Sequence, residues 1–163
     1  MNQYLDFCGS IERYPVVVWF TNSLLASILI WLSHYFSLFL TIGSMLVLNL
    51  RVLGLAGRKQ TITQIADLYS RWMWIGLAVL FVSGTMMAAG DSVLFCTNGV
   101  FGIKLALIIL AAISGVIIQR NARRWDQAPA VPVAAKALAC VSLILWVGTI
   151  LAAVDIPALT NVP

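Results

Sequence analysis

Between Arg13 and Arg51 the chain has no aspartate, glutamate, lysine or arginine. Charge is scarce elsewhere too: 10% of the 163 residues are charged and 61% are apolar, with a mean hydropathy of +0.97. An ordinary soluble domain is excluded by that balance. The net charge of +4 does not point to nucleic acid, because the basic residues gather at the ends of apolar runs. There is one histidine, His34, and the three cysteines form no C-x-x-C pair, which argues against a thiol-redox membrane enzyme. No Ser/His/acid set, paired intramembrane carboxylate, nucleotide-binding glycine loop or zinc-ligand cluster is present. An enzyme working alone is hard to build from such residues. A transporter is no easier, since no apolar segment is broken at mid-depth and no row of charges crosses the core.

What is there is apolar and helical in period. Residues 14–50, fully helical, would run about 56 Å against a hydrocarbon core of about 30 Å, so one end must be trimmed. Thr21-Asn22-Ser23 supplies the side chains that cap a helix start. The expected fold is all-α: a polytopic, four-transmembrane-helix bundle in a single membrane domain, 1–163. A short interfacial segment covers about 1–22, and the crossings cover about 24–50, 72–89, 103–118 and 133–154. The second helix is expected to begin before its crossing, because Thr61 and Gln64 have capping-box spacing and Ile65, Leu68, Tyr69 and Trp72 continue one apolar face. Asn98-Gly99 reads as a turn, Pro132 suits the first turn of the fourth helix, and Pro157 should stop that helix near Asp155.

Arg51, Arg58, Lys59 and Arg71 flank the first loop, and Arg120, Arg123, Arg124 and Lys136 flank the third. The positive-inside rule makes both loops cytoplasmic and puts the N and C termini outside, on the periplasmic face of a bacterial inner (plasma) membrane. Met1 to Ser10 lacks a basic n-region, so the first crossing is expected to serve as the insertion signal. Trp19, Trp72, Trp74 and Trp125 fit interfacial anchoring. Membrane lipids are the expected surroundings.

His34 lies about ten residues into the first crossing, near the membrane centre, where an ionisable group is a functional candidate. Ser27, Ser37, Thr41 and Ser44 put hydroxyls at helical spacing around it. Two readings stand: a histidine satisfied by a hydroxyl or carbonyl, or an axial ligand to haem or a ligand to copper. Counting depth from the outer ends places Val79, Leu80, Ile113, Ser114, Ser142, Leu145 and Trp146 in its layer. None is a strong ligand, so a second ligand would come from another subunit. Cys8 and Cys96 share the outer, oxidising side, and either pair as a disulfide or remain two thiols. Cys140 reads as a packing residue. Lys104 and Arg51 read as snorkelling cations.

Taken in order, the motifs resemble those of an uncharacterised family of small bacterial four-helix integral membrane proteins, itself distantly similar to the membrane domain of copper-resistance protein D. The resemblance runs from His34 to Ala152. It rests on His34, the run Asn49-Leu50-Arg51-Val52-Leu53-Gly54-Leu55, then Trp74-Ile75-Gly76 with Gly84, Phe101-Gly102-Ile103-Lys104, Trp125-Asp126, Pro132, and Ser142 to Trp146. Against that pattern, Trp31 and Asn49 stand at expected acidic positions, and Ser114 and Gln119 replace polar or histidine positions. The scaffold is kept and much of the polar interior is lost. A non-catalytic accessory or structural subunit is the function that fits, docking to a larger bacterial membrane complex, to other integral-membrane subunits or to itself. Trp31 and Trp146 are candidate interface anchors. The alternative is a haem- or copper-binding electron-transfer or metal-handling module using His34.

Overall fold

The computed structural model describes the backbone of residues 2–160 and the side chains of 3–153. It is all-helical. The described residues form seven helices: α1 (Asn2–Glu12), α2 (Pro15–Asn22), α3 (Leu24–Val52), α4 (Ile62–Gly90), α5 (Ser92–Thr97), α6 (Gly99–Asp126) and α7 (Val133–Thr160). Four are long and apolar enough to cross a membrane: α3, α4, α6, and α7 over Val133–Ala153. At 29 residues each, α3 and α4 run about 44 Å and outlast a hydrocarbon core of about 30 Å.

The helices overrun their expected ends, because a helix need not stop where lipid stops. α6 extends beyond Ile118 to Asp126, with Arg123 and Arg124 in its last turn, where cations complement the helix dipole. α7 is helical through Thr160, so Pro157 does not stop it; proline inside a membrane helix is tolerated where the freed carbonyl finds another donor. The side chain of Asp155 lies outside the described residues.

Helix ends here have local causes. α3 closes in a Schellman motif: Leu55 N donates to Leu50 O at 2.9 Å and Gly54 N to Arg51 O at 3.0 Å. Gly54 has φ 76°, the left-handed backbone this motif needs and a β-carbon opposes. Arg51 is no free snorkelling cation, since its Nε donates to Gln60 O at 2.6 Å across the loop. The start of α4 is fully satisfied. Thr61 and Gln64 form the reciprocal capping box, at 2.9 and 3.1 Å. The amides of Ile62 and Thr63 donate to the two carboxylate oxygens of Asp126, each at 2.8 Å.

Two compact units emerge: Met1–Phe39 with Ile75–Gly99, and Leu40–Trp74 with Val100–Pro163. In the first, Ser23 lies between α2 and α3 and its Oγ accepts from Ala26 N at 3.4 Å. A disulfide joins Cys8 on α1 to Cys96 on α5. Beside it, Ser92 Oγ donates to Cys8 O at 2.5 Å and Val93 N to Glu12 Oε1 at 2.9 Å. The carboxylate of Glu12 thus caps α5 from another helix.

In the second unit, Leu48, Val52, Ile62, Ile65, Ala66, Ile118, Ala122, Ala135 and Ala139 form the apolar core. Four of these are alanines, which let membrane helices approach closely. At Gly115 an added β-carbon would lie 3.1 Å from Met45 Cε and 3.5 Å from Met73 Sδ, so the glycine makes room for two buried thioethers.

Small polar side chains join the apolar core, and several large aromatic ones lie outside it. Ser37, Thr41, Ser44, Asn49, Ser83, Ser114, Ser142 and Thr149 are buried, while Phe36 and Phe39 are 73% and 74% exposed. Hydrocarbon as the solvent accounts for it, since backbone and side-chain polar groups must then be satisfied internally.

Candidate functional site

His34 packs against α4 in the first unit. Its Nδ1 lies 3.0 Å from Ser83 Oγ, and Ser83 Oγ also lies 2.7 Å from Val79 O and 3.3 Å from Leu80 O. A hydroxyl has one hydrogen, so Ser83 Oγ either gives it to its own helix and accepts from His34 Nδ1, or gives it to Nδ1, according to the imidazole tautomer. Gly84 makes the approach feasible, since a β-carbon there would lie 3.2 Å from His34 Cε1. The ring is therefore positioned by two adjacent residues of one helix, a hydroxyl within hydrogen-bond distance and a glycine that yields space.

Depth counting placed His34 level with Val79 and Leu80, one turn short of Ser83. The reason is directional: helical side chains lean toward the N-terminus of their own helix. On α3 that is toward Leu24, which in the antiparallel neighbour means toward Gly90. The hydroxyl it meets, Ser83 on α4, lies outside the set Ser27, Ser37, Thr41 and Ser44 read around it from the sequence. Ser37 Oγ donates to the His34 backbone oxygen at 2.9 Å.

The remaining candidates separate. Trp31 is 48% exposed and stacks at a tilt on Tyr35, with centroids 5.7 Å apart. Trp146 is 3% exposed, so its assignment as an interface anchor is corrected: it points inward. It shares a stripe with Ala135, Ala139, Ser142 and Thr149, all buried, and that 4-3-4-3 spacing of small residues was the signal for an inward face. Cys140 is exposed and outside the disulfide. Among the described residues no three of His, Cys, Asp and Glu group as a metal-holding set, so His34 offers one ligand to any metal or haem.

Sequence reasoning passed over a polar site in the second unit. Asn49 Nδ2 donates to Ser142 Oγ at 3.2 Å, joining α3 to α7. The sequence marks Asn49 as the start of a motif run and as a departure from an acidic position, and gives no sign of a partner 93 residues away. Nearby, Gln119 Nε2 donates to Met73 Sδ at 3.4 Å and Trp74 Nε1 to Gln119 Oε1 at 3.3 Å, so Gln119 is a relay between two α4 side chains.

Residues 32–156 match a family model described as a family of unknown function, DUF6644. No curated protein and no solved structure matches the chain.

Proposed function

The chain belongs to the DUF6644 family, described as one of unknown function, and from that premise we propose that it is a non-catalytic accessory subunit of a larger bacterial inner-membrane complex. One observation carries the reading: Tyr35 is 50% exposed and its hydroxyl has no hydrogen-bond partner among the described residues. It lies about 16 Å along α3 from Leu24 and about 24 Å from Arg51. A hydrocarbon layer of about 30 Å placed anywhere between those ends contains it. Lipid tails cannot satisfy a hydroxyl, whereas a neighbouring helix can. Trp31, stacked on Tyr35, adds rigid apolar area to the same face.

The orientation proposed has the Arg51–Arg71 and Arg120–Lys136 loops in the cytoplasm and both termini in the periplasm. The Cys8–Cys96 disulfide supports an oxidising compartment for α1 and α5. Native mass spectrometry after mild-detergent extraction tests the subunit reading. Wild type should carry a stoichiometric integral-membrane companion, and Tyr35→Phe with Trp31→Leu should release it without loss of fold. A strictly monomeric wild-type species refutes it.

A second reading rests on the His34 geometry. The ring is set by Ser83 and Gly84, imidazole is a ligand that haem iron and copper take, and the resemblance read from the sequence to the copper-resistance protein D membrane domain belongs with this reading. His34 would be one ligand and another subunit would supply the rest. An absorbance spectrum with metal analysis of the purified complex decides it: no Soret band and no stoichiometric metal removes the reading.

A further inference from the structure

We propose that Asn49, Ser142 and Trp146 form a binding site for one internal water molecule that bridges α3 and α7. All three side chains are at least nine-tenths buried, at 0%, 0% and 3% exposure. Asn49 Oδ1 and Trp146 Nε1 are buried without a hydrogen-bond partner. Ser142 Oγ accepts from Asn49 Nδ2, and its own hydrogen has no acceptor among the described residues. The three residues thus leave one acceptor, Asn49 Oδ1, and three hydrogens, the second of the Asn49 amide, that of Ser142 and that of the Trp146 indole, unused inside a helical core, where each unpaired group costs on the order of 1–3 kcal/mol.

The three groups belong to one locus. Ser142 touches Asn49 directly, and Trp146 follows Ser142 by four residues, hence one turn along the same face of α7. Long helical side chains lean back over the preceding turn, which brings the indole over Ser142. A single oxygen there accepts from Trp146 Nε1 and from the Ser142 hydroxyl and donates to Asn49 Oδ1. Three bonds is the usual complement of a buried water. Turning the Asn49 amide over does not remove the need: Oδ1 would then accept from Ser142, but both amide hydrogens and the indole hydrogen would lack acceptors. Surroundings this closed favour water over any larger molecule with a hydroxyl.

The test is proton-detected NMR of the full chain in nanodiscs with ¹⁵N-labelled tryptophan, the Trp146 indole signal being assigned by its loss in Trp146→Phe. The expected result is a cross-peak between Trp146 Hε1 and water, at an indole proton shift typical of a hydrogen-bonded N–H. In Ser142→Ala and in Asn49→Leu, with the other indole signals unmoved, that cross-peak should fall below detection. If the wild-type indole shows an unbonded shift and no water cross-peak, the proposal is overturned, and that experiment needs no variant to fold. A cross-peak to lipid or detergent hydroxyls in place of water also overturns it, as does one that persists unchanged in both variants.

Discussion

Replacing Asp126 by alanine should loosen the start of α4 without unfolding the chain. Its two carboxylate oxygens each accept one amide hydrogen, from Ile62 and Thr63, at 2.8 Å. They cover two of the four donors that every helix start leaves over. The Thr61–Gln64 box and its carbonyl cover the next ones locally. Bonds to a charged acceptor contribute about 1.5–3 kcal/mol each when sheltered, but Asp126 is half-buried and water replaces part of what is lost. The upper end of the capping range, about 2 kcal/mol, is the expected cost, or roughly thirtyfold in an opening equilibrium. Hydrogen exchange reads it directly. The amides of Ile62 and Thr63 should lose about thirtyfold in protection while those beyond Trp72 hold theirs. Asp126→Asn keeps one acceptor oxygen and should lose about half that free energy, roughly fivefold. Unchanged protection in Asp126→Ala, or a loss spread evenly over α4, refutes the capping role.

Alkylation of unreduced protein by a membrane-permeant maleimide should add one label, at Cys140, and three after reduction, since Cys8 and Cys96 are bonded; intact mass counts them, and three labels before reduction contradicts the bond. His34→Leu removes one intramembrane hydrogen bond, at about 0.6–1 kcal/mol, whereas Gly84→Leu overpacks the ring and should cost about 1–3 kcal/mol. Denaturation in graded SDS ranks the two, with the reverse order counting against the packing described. Under the proposed orientation, an impermeant thiol reagent on intact cells should miss Arg58→Cys in a background lacking the other cysteines and should label a lone Cys96; labelling of position 58 alone would invert the topology.

The four long helices were legible because each is an apolar run of crossing length, and the Thr61–Gln64 cap because its signal is local. What escaped is non-local. Nothing near Asp126 marks it as the cap of a helix 63 and 64 residues earlier. Glu12 reaches α5 over a separation of 81 residues, and α5 itself is too short for a periodic signal. Ser83 was missed for a geometric reason, the lean of helical side chains. Gly54 was visible only as part of a recurring run, and the left-handed φ of a helix end supplies its physical cause.

The bond between Cys8 and Cys96 also constrains how the chain is made. One cysteine precedes α3 and the other follows α4, at a sequence separation of 88. If both helices cross, the chain passes through the membrane twice between the thiols, and two passages return it to the side it left. A chain in which α4 failed to thread would strand Cys96 across the bilayer from Cys8, where no oxidant could join them. The oxidised fraction in a pulse-labelled culture is therefore a tally of completed double insertions, and its rise with time dates the second passage.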